Sequence, residues 1–185
     1  TGETSITSSR DIQTAGAGAY IGGNAVVLSA QTGIGFAKDD PNTSDVVEQP
    51  LQTLVTDGAS RGLNAVTTTG GVFIAERSGD IVIDEIGTGS GGDVSVVAPG
   101  AITVAASGTP GLIQGGSIDL YAREGGIGLS ESRPLSIDSG RGSSEDVVNV
   151  KARGDIFVRE TDGDLRLVKA ETLGDVYINV ASGDL

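Results

Sequence analysis

A unit of four or five residues recurs along most of the sequence. A glycine, often followed by aspartate, leads into two aliphatic residues that flank one variable residue. Because apolar residues alternate with variable ones, each unit has the pattern of a short strand buried on one face. Most units begin 8 to 11 residues after the one before, and they read GVFI (71–74), GDIVI (79–83), GDVSV (92–96), GAITV (100–104), GSIDL (116–120), GIGL (126–129), PLSI (134–137), DVVNV (146–150), GDIFV (154–158), GDLRL (163–167) and GDVYI (174–178).

The similarity of the units favours a stacked architecture over a β-sandwich. A sandwich also has short strands at this spacing, but it usually has an aromatic-rich core and strands that differ from one another. This chain has three Phe, three Tyr and no Trp in 185 residues, and its units are interchangeable. The sequence therefore predicts an all-β parallel β-helix, or β-solenoid, with short strands and Gly-Asp corners.

The solenoid geometry makes further predictions. Two strands for each turn give coils of about 20–25 residues, and some eight coils stacked about 4.8 Å apart give a rod of roughly 40 Å. Val, Ile and Leu should fill the narrow interior. Glycine supplies the positive φ values that sharp corners need, and the aspartate after it can bond backbone amides at the corner. In the GDIFVRE unit, Ile156 and Val158 should face inward, whereas Asp155, Phe157 and Arg159 should face outward.

The whole chain, 1–185, is interpreted as a single β-solenoid segment. The regular spacing of the units is interrupted near 37–50, 105–115 and 138–145, which we expect to be loops leaving a corner. Residues 46–55 could form a helical turn or two, interrupted by proline. The chain starts and stops on partial units, so we expect a fragment of a longer repeat array.

Charge and composition exclude several partners. The net charge is −13, from 25 acidic and 12 basic residues, which argues against binding to nucleic acid or to an anionic membrane surface. No apolar run approaches the 18 residues of a membrane-spanning helix, so no membrane insertion is expected. The chain lacks Cys and His, which excludes disulfides and the common type of zinc site.

The units resemble the repeats of very large bacterial surface proteins of the filamentous-haemagglutinin type. The resemblance covers Gly70–Leu185 well and the first 70 residues loosely, and it is carried by GDIVIDEIG (79–87), GSIDLYAREGGIGL (116–129), GDIFVRETDGDLRLV (154–168) and GDVYINVASGDL (174–185). It implies a secreted, right-handed parallel β-helix at the bacterial cell surface or outside the cell, serving as an adhesin or surface fibre.

The expected function is that of a structural segment: a rigid stalk, fibre or sheath element used in adhesion or surface coating. Its expected partners are neighbouring segments or subunits of the same fibre. The first alternative is a carbohydrate-binding adhesin module that contacts surface glycans, and the second is a polysaccharide lyase or hydrolase. Paired carboxylates could perform glycosidase chemistry. However, the chain has no His to act as a general base, and turn chemistry explains most carboxylates, so we expect no enzyme activity.

Three acidic residues near the end of the chain are candidate calcium ligands. Glu160, Asp162 and Asp164 are close in sequence, and calcium prefers carboxylate oxygens. The competing interpretation is that these are solvated carboxylates at repeat corners. No other cofactor is expected.

The tripeptide Arg153-Gly154-Asp155 is an integrin-recognition motif when it lies on a flexible loop. Here its Gly-Asp is also the ordinary start of a repeat unit, which favours a corner over a recognition site.

Outward-facing aromatic residues are candidates for glycan binding. By alternation, Phe73, Phe157 and Tyr177 should lie on the outer face, where they could stack on sugars. The alternative interpretation is that they stabilise the sheet through cross-strand pairing.

Overall fold

The computed structural model describes residues 2–14, 16, 18–39, 46–56, 61–105 and 111–185. Within these ranges the chain forms strands, turns and bends without a helix, so no helix there is long and apolar enough to cross a membrane. The strands are β1 (Glu3–Ser8), β2 (Asp11–Ile12), β3 (Ile21–Gly23), β4 (Ala25–Ala30), β5 (Gly33–Ile34), β6 (Phe36–Asp39), β7 (Val46–Gln49), β8 (Leu51–Val55), β9 (Leu63–Thr67), β10 (Val72–Glu76), β11 (Ile81–Thr88), β12 (Val94–Ala98), β13 (Ile102–Val104), β14 (Leu112–Gln114), β15 (Ile118–Ala122), β16 (Leu135–Asp138), β17 (Val148–Lys151), β18 (Ile156–Glu160), β19 (Leu167–Glu171) and β20 (Val176–Val180).

The strands assemble into two parallel nine-stranded sheets that face each other across a shared core. One sheet, here the first sheet, contains β1, β4, β9, β11, β13, β14, β16, β18 and β20. The second sheet contains β2, β3, β5, β8, β10, β12, β15, β17 and β19. Because the chain alternates between the sheets, it winds through about seven turns of a β-solenoid. The predicted fold class is confirmed.

The parallel register stacks equivalent residues of successive coils into columns. In the second sheet one inward column contains Ile12, Ile34, Val72, Val94, Ile118, Val148 and Leu167. In the first sheet the matching column contains Ile6, Leu28, Ala65, Ile86, Ile113, Ile137, Glu160 and Val180. The described core cluster consists of Ile, Val, Leu and Ala, as the prediction for a narrow interior requires.

Four corner aspartates bond the backbone of the following coil. The Oδ1 atom of Asp155 accepts a hydrogen bond from the backbone N–H of Asp175 at 2.9 Å, one coil further along. Three other corners repeat this contact, with partners 20 to 24 positions apart: Asp80 with Ala101, Asp93 with Ser117, and Asp164 with Asp184. The spacing agrees with the predicted coil length. The aspartates bond the following coil, whereas local turn chemistry alone would place their partners in the same corner.

The segment 37–50 differs from its prediction as a loop. Its ends form the antiparallel hairpin of β6 and β7, and residues 40–45 lie outside the described part. Residues 46–55 are the strands β7 and β8 on either side of Pro50, so the predicted helical turns are wrong. The hairpin interrupts one long turn between Val26 and Leu63. This turn explains why the chain makes about seven turns rather than eight.

Of the other two predicted loops, 105–115 is described only in part, whereas 138–145 is described throughout. Of 105–115, residues 106–110 lie outside the described part, and Leu112–Gln114 forms β14. The segment 138–145 consists mainly of bends and turns. It folds back over an earlier corner, because a Cβ atom added at Gly91 would lie 2.5 Å from the backbone of Arg141.

Candidate functional site

The two aromatic residues Phe157 and Tyr177 lie side by side on the outer face of the first sheet. They are opposite each other in the register of β18 and β20, and both are half-buried. Ile156 and Val158, on either side of Phe157, are buried as predicted. Arg159 of β18 is exposed beside them, also as predicted. The pair therefore forms a small aromatic surface on the last two strands of this sheet.

Phe73 does not extend this aromatic surface. It belongs to the second sheet, and its exposed fraction is only 9%, so the prediction of an exposed ring is wrong. Strand β6 of the hairpin lies against β10, and Phe36 lines the same shallow cavity as Phe73. The backbone of Gly71 covers the ring as well, because a Cβ atom there would lie 2.6 Å from its Cε2 atom.

The tripeptide Arg153-Gly154-Asp155 lies at a corner between β17 and β18. The Arg153 guanidinium pairs with Glu124 at 2.6 Å, and the Gly154 N–H donates to the carbonyl oxygen of Gly125 at 2.9 Å. The Asp155 carboxylate accepts the amide of the next coil. The motif is thus held by neighbouring coils on both sides, and its recognition by an integrin stays a prediction.

The structure does not bring the three candidate calcium ligands together. Glu160 is fully buried, whereas Asp162 and Asp164 are exposed at the following corner. The Asp164 carboxylate already accepts the backbone N–H of Asp184 at 2.8 Å. Across the described ranges, no group of three or more acidic side chains is placed to hold a metal ion.

Two buried glutamates were not singled out by the sequence reasoning as interior residues. Glu76 and Glu160 are the acidic residues that lie in the core of the described structure, with exposed fractions of 4% and 0%. They end related sequences, VFIAE (72–76) and IFVRE (156–160). The alternation within each unit indicates that these glutamates face inward, because the fifth residue of a strand faces the same side as the first and third.

Each buried glutamate bonds a hydroxyl and a backbone amide of a neighbouring coil. Burial raises the pKa of Glu76 above its ordinary value, although hydrogen bonds from Thr53 and Val55 oppose that rise. Burial likewise raises the pKa of Glu160, against opposing bonds from Ser139. Both carboxyl groups are therefore easier to protonate than exposed ones.

An open groove of about 500 Å³ lies beside β8, β11 and β13. Its walls are largely apolar and include Leu54, Val82 and Leu129. Asp80 is the ionisable residue among the described residues that line it, and its carboxylate already accepts the backbone N–H of Ala101 at 2.8 Å. The one carboxylate among the described lining residues of this groove is thus already hydrogen-bonded to the backbone.

The fold places the chain in the class of parallel β-solenoid repeat proteins. The sequence matches no protein-family model, and no match was found among curated proteins or solved structures.

Proposed function

We propose that this chain is a structural segment of an exported bacterial surface protein. It forms part of a rigid stalk, fibre or sheath that serves adhesion or surface coating, with neighbouring segments or subunits of the same fibre as partners. The observation that carries the proposal is the connection between coils, in which interior columns continue from one turn to the next and aspartates at four corners bond the following coil.

This connection suits a load-bearing rod. In a solenoid each coil contacts only its neighbours, so stiffness along the axis depends on every interface between coils. The described interfaces combine backbone hydrogen bonds of two sheets with a mainly aliphatic interior. A carboxylate that bonds the next coil adds a charge-assisted contact outside the core.

The surface location rests on the repeat style and on charge. The Gly-Asp units resemble those of filamentous-haemagglutinin-type proteins, whose members are secreted. A net charge of −13 favours solubility and disfavours contact with nucleic acid and anionic membranes. The proposed location is therefore outside the cell or on its surface.

Immunoelectron microscopy of cells that express the parent protein tests this proposal. An antibody against the segment 138–145, whose residues are largely exposed, should label intact, unpermeabilised cells along surface projections. A cytoplasmic marker on the same cells should stay unlabelled until they are permeabilised. Labelling that requires permeabilisation would contradict the proposed location.

Glycan binding is the second candidate, and the aromatic surface of Phe157 and Tyr177 favours it. Two half-buried rings in direct register, beside the exposed Arg159, provide apolar area and a hydrogen-bond donor for a sugar chain. On a glycan array the chain should then give signals that the double variant Phe157→Ala, Tyr177→Ala loses. Equal signals from both proteins, or none from either, would remove this candidate.

A further inference from the structure

Strand β8 lies between β3 and β10. It pairs with β3 as far as Val55, but it extends beyond the end of β10. It pairs with β10 as far as Thr53 and Glu76, and it then continues to Val55. The backbone N–H of Val55 thus lies two residues past the last pair of β8 with β10, in a residue that is 7% exposed. A buried amide without a hydrogen-bond partner costs free energy. Because β10 ends at Glu76, it has no strand residue opposite Val55 whose carbonyl could accept this N–H.

The side chain of Glu76 supplies the missing acceptor. Its Oε1 atom accepts the Val55 N–H at 3.0 Å, and its Oε2 atom accepts the Thr53 hydroxyl at 2.8 Å. The carboxylate therefore binds the overhanging end of β8 at two points.

The same construction recurs in the other sheet. Strand β16 pairs with β18 as far as Ile137 and Glu160, and Ser139 follows two residues past Ile137. The Glu160 Oε1 atom accepts the Ser139 N–H at 3.1 Å, and its Oε2 atom accepts the Ser139 hydroxyl at 2.6 Å. Ser139 is the point at which the chain leaves the coil for the outer segment 140–146. Two independent sites thus share one chemistry.

We propose that Glu76 and Glu160 are anchors, tightened by protonation, that fasten the overhanging strand ends of one coil to the next. A neutral carboxyl group can keep both contacts. Its carbonyl oxygen still accepts the backbone N–H, and its O–H donates to the hydroxyl oxygen, which can accept as well as donate. Protonation removes the buried negative charge without losing a hydrogen bond, so the anchored state becomes more favourable.

Burial favours the neutral form of both carboxyl groups and outweighs the hydrogen bonds, which favour the charged form. The groups that bond Glu76, on Thr53 and Val55, are uncharged. Glu160 has the Asp138 carboxylate as a charged neighbour, which disfavours a second negative charge. Asp138 is itself bonded to Arg141 at 2.7 Å and to Gln114 at 3.0 Å.

The direction of the pH effect follows from linkage. The anchored state has a raised carboxyl pKa, whereas a glutamate released to water has an ordinary one. Between the ordinary and the raised pKa, the anchored state therefore binds more protons than the released state. The stability that protonation adds to the anchored state is lost as pH rises through the raised pKa. The equilibrium for closing each anchor should change by at most about tenfold for each pH unit in that window.

Hydrogen exchange at the Ser139 amide, measured by NMR and corrected for the intrinsic exchange rate, tests the proposal. Protection should rise by up to about tenfold for each pH unit as pH is lowered from neutral towards the ordinary range of a carboxyl group. The variant Glu160→Gln, which is neutral at every pH, should lose this slope. The exposed Glu131→Gln should keep it as a matched control. The same slope in Glu160→Gln as in the unaltered chain would overturn the proposal.

A titration of the unaltered chain keeps the test independent of whether a variant folds. The carbon-13 shifts of the Glu76 and Glu160 carboxyl groups should change at higher pH than the ordinary pKa range of a glutamate. Midpoints within or below that ordinary range would refute the anchors. Neither measurement depends on where the protein acts, so this inference can fail while the structural proposal stands, and the reverse.

Discussion

The Ile118→Ala variant should lower the free energy of unfolding by about 2–5 kcal/mol, the usual range for removing a buried isoleucine side chain beyond Cβ. Ile118 is fully buried in the column between Val94 and Val148. The coils above and below are held in register by their own backbone bonds, so they can collapse only partly into the cavity. Urea denaturation followed by circular dichroism measures the change.

Two related variants calibrate this effect. Ile118→Val, which removes one methyl group, should lose about 0.5–1.5 kcal/mol. Val168→Ala alters a side chain that is 66% exposed, and its effect should stay within about 0.5 kcal/mol. If Ile118→Ala were no more destabilising than Val168→Ala, the interior column would not support the stability of the rod.

The second large effect is expected from Gly128→Ala. Gly128 has a φ of 78°, in the left-handed region where a Cβ atom is strained by about 1–2 kcal/mol. A Cβ atom there would also overlap the carbonyl oxygen of Phe157 and lie 3.0 Å from the backbone nitrogen of Leu135. Because backbone atoms of two strands would have to move, a further loss of about 1–3 kcal/mol is expected.

Gly79→Ala separates the two causes. Gly79 has a φ of 75°, but a Cβ atom there would meet no atom within 4 Å. This variant should show the conformational strain alone. Gly128→Ala should unfold at clearly lower urea concentration than Gly79→Ala, and equal midpoints would show that the close approach between coils does not matter.

The alternation of residues within a unit predicted which side chains face inward. Ile156 and Val158 are buried, and Arg159 is exposed. This prediction works because the two-residue period of a strand is a local property of the backbone. The same rule places Glu160 inward, but its acidic character and the nearby Asp162 and Asp164 suggested a surface site instead.

Exposure on the outer face could not be predicted in the same way. Phe73 and Phe157 occupy equivalent positions in VFIAE and IFVRE, yet Phe73 is nearly buried and Phe157 is half-buried. The difference arises from the hairpin strand β6, which lies against β10. The segment that covers an outer position lies far away in sequence, and alternation contains no information about it.

For the candidate site residues too, the sequence predicted the local position and the structure alone showed the contacts between coils. The sequence indicated that the Gly154-Asp155 pair starts a repeat unit, and the structure places it at a corner. Only the structure showed that the Asp155 carboxylate bonds the following coil at Asp175. A contact between residues 20 positions apart depends on how the coils stack, which no single unit specifies.

The sequence by itself determined the class of fold, the length of a coil and the aliphatic content of the interior, because all three follow from short repeats and a two-residue period. The tertiary structure decided which outer residues are covered, where strands overhang, and how Glu76 and Glu160 bond the buried amides of Val55 and Ser139. These features depend on how neighbouring coils differ in the length and position of their strands. Such differences have an effect only once the coils are stacked.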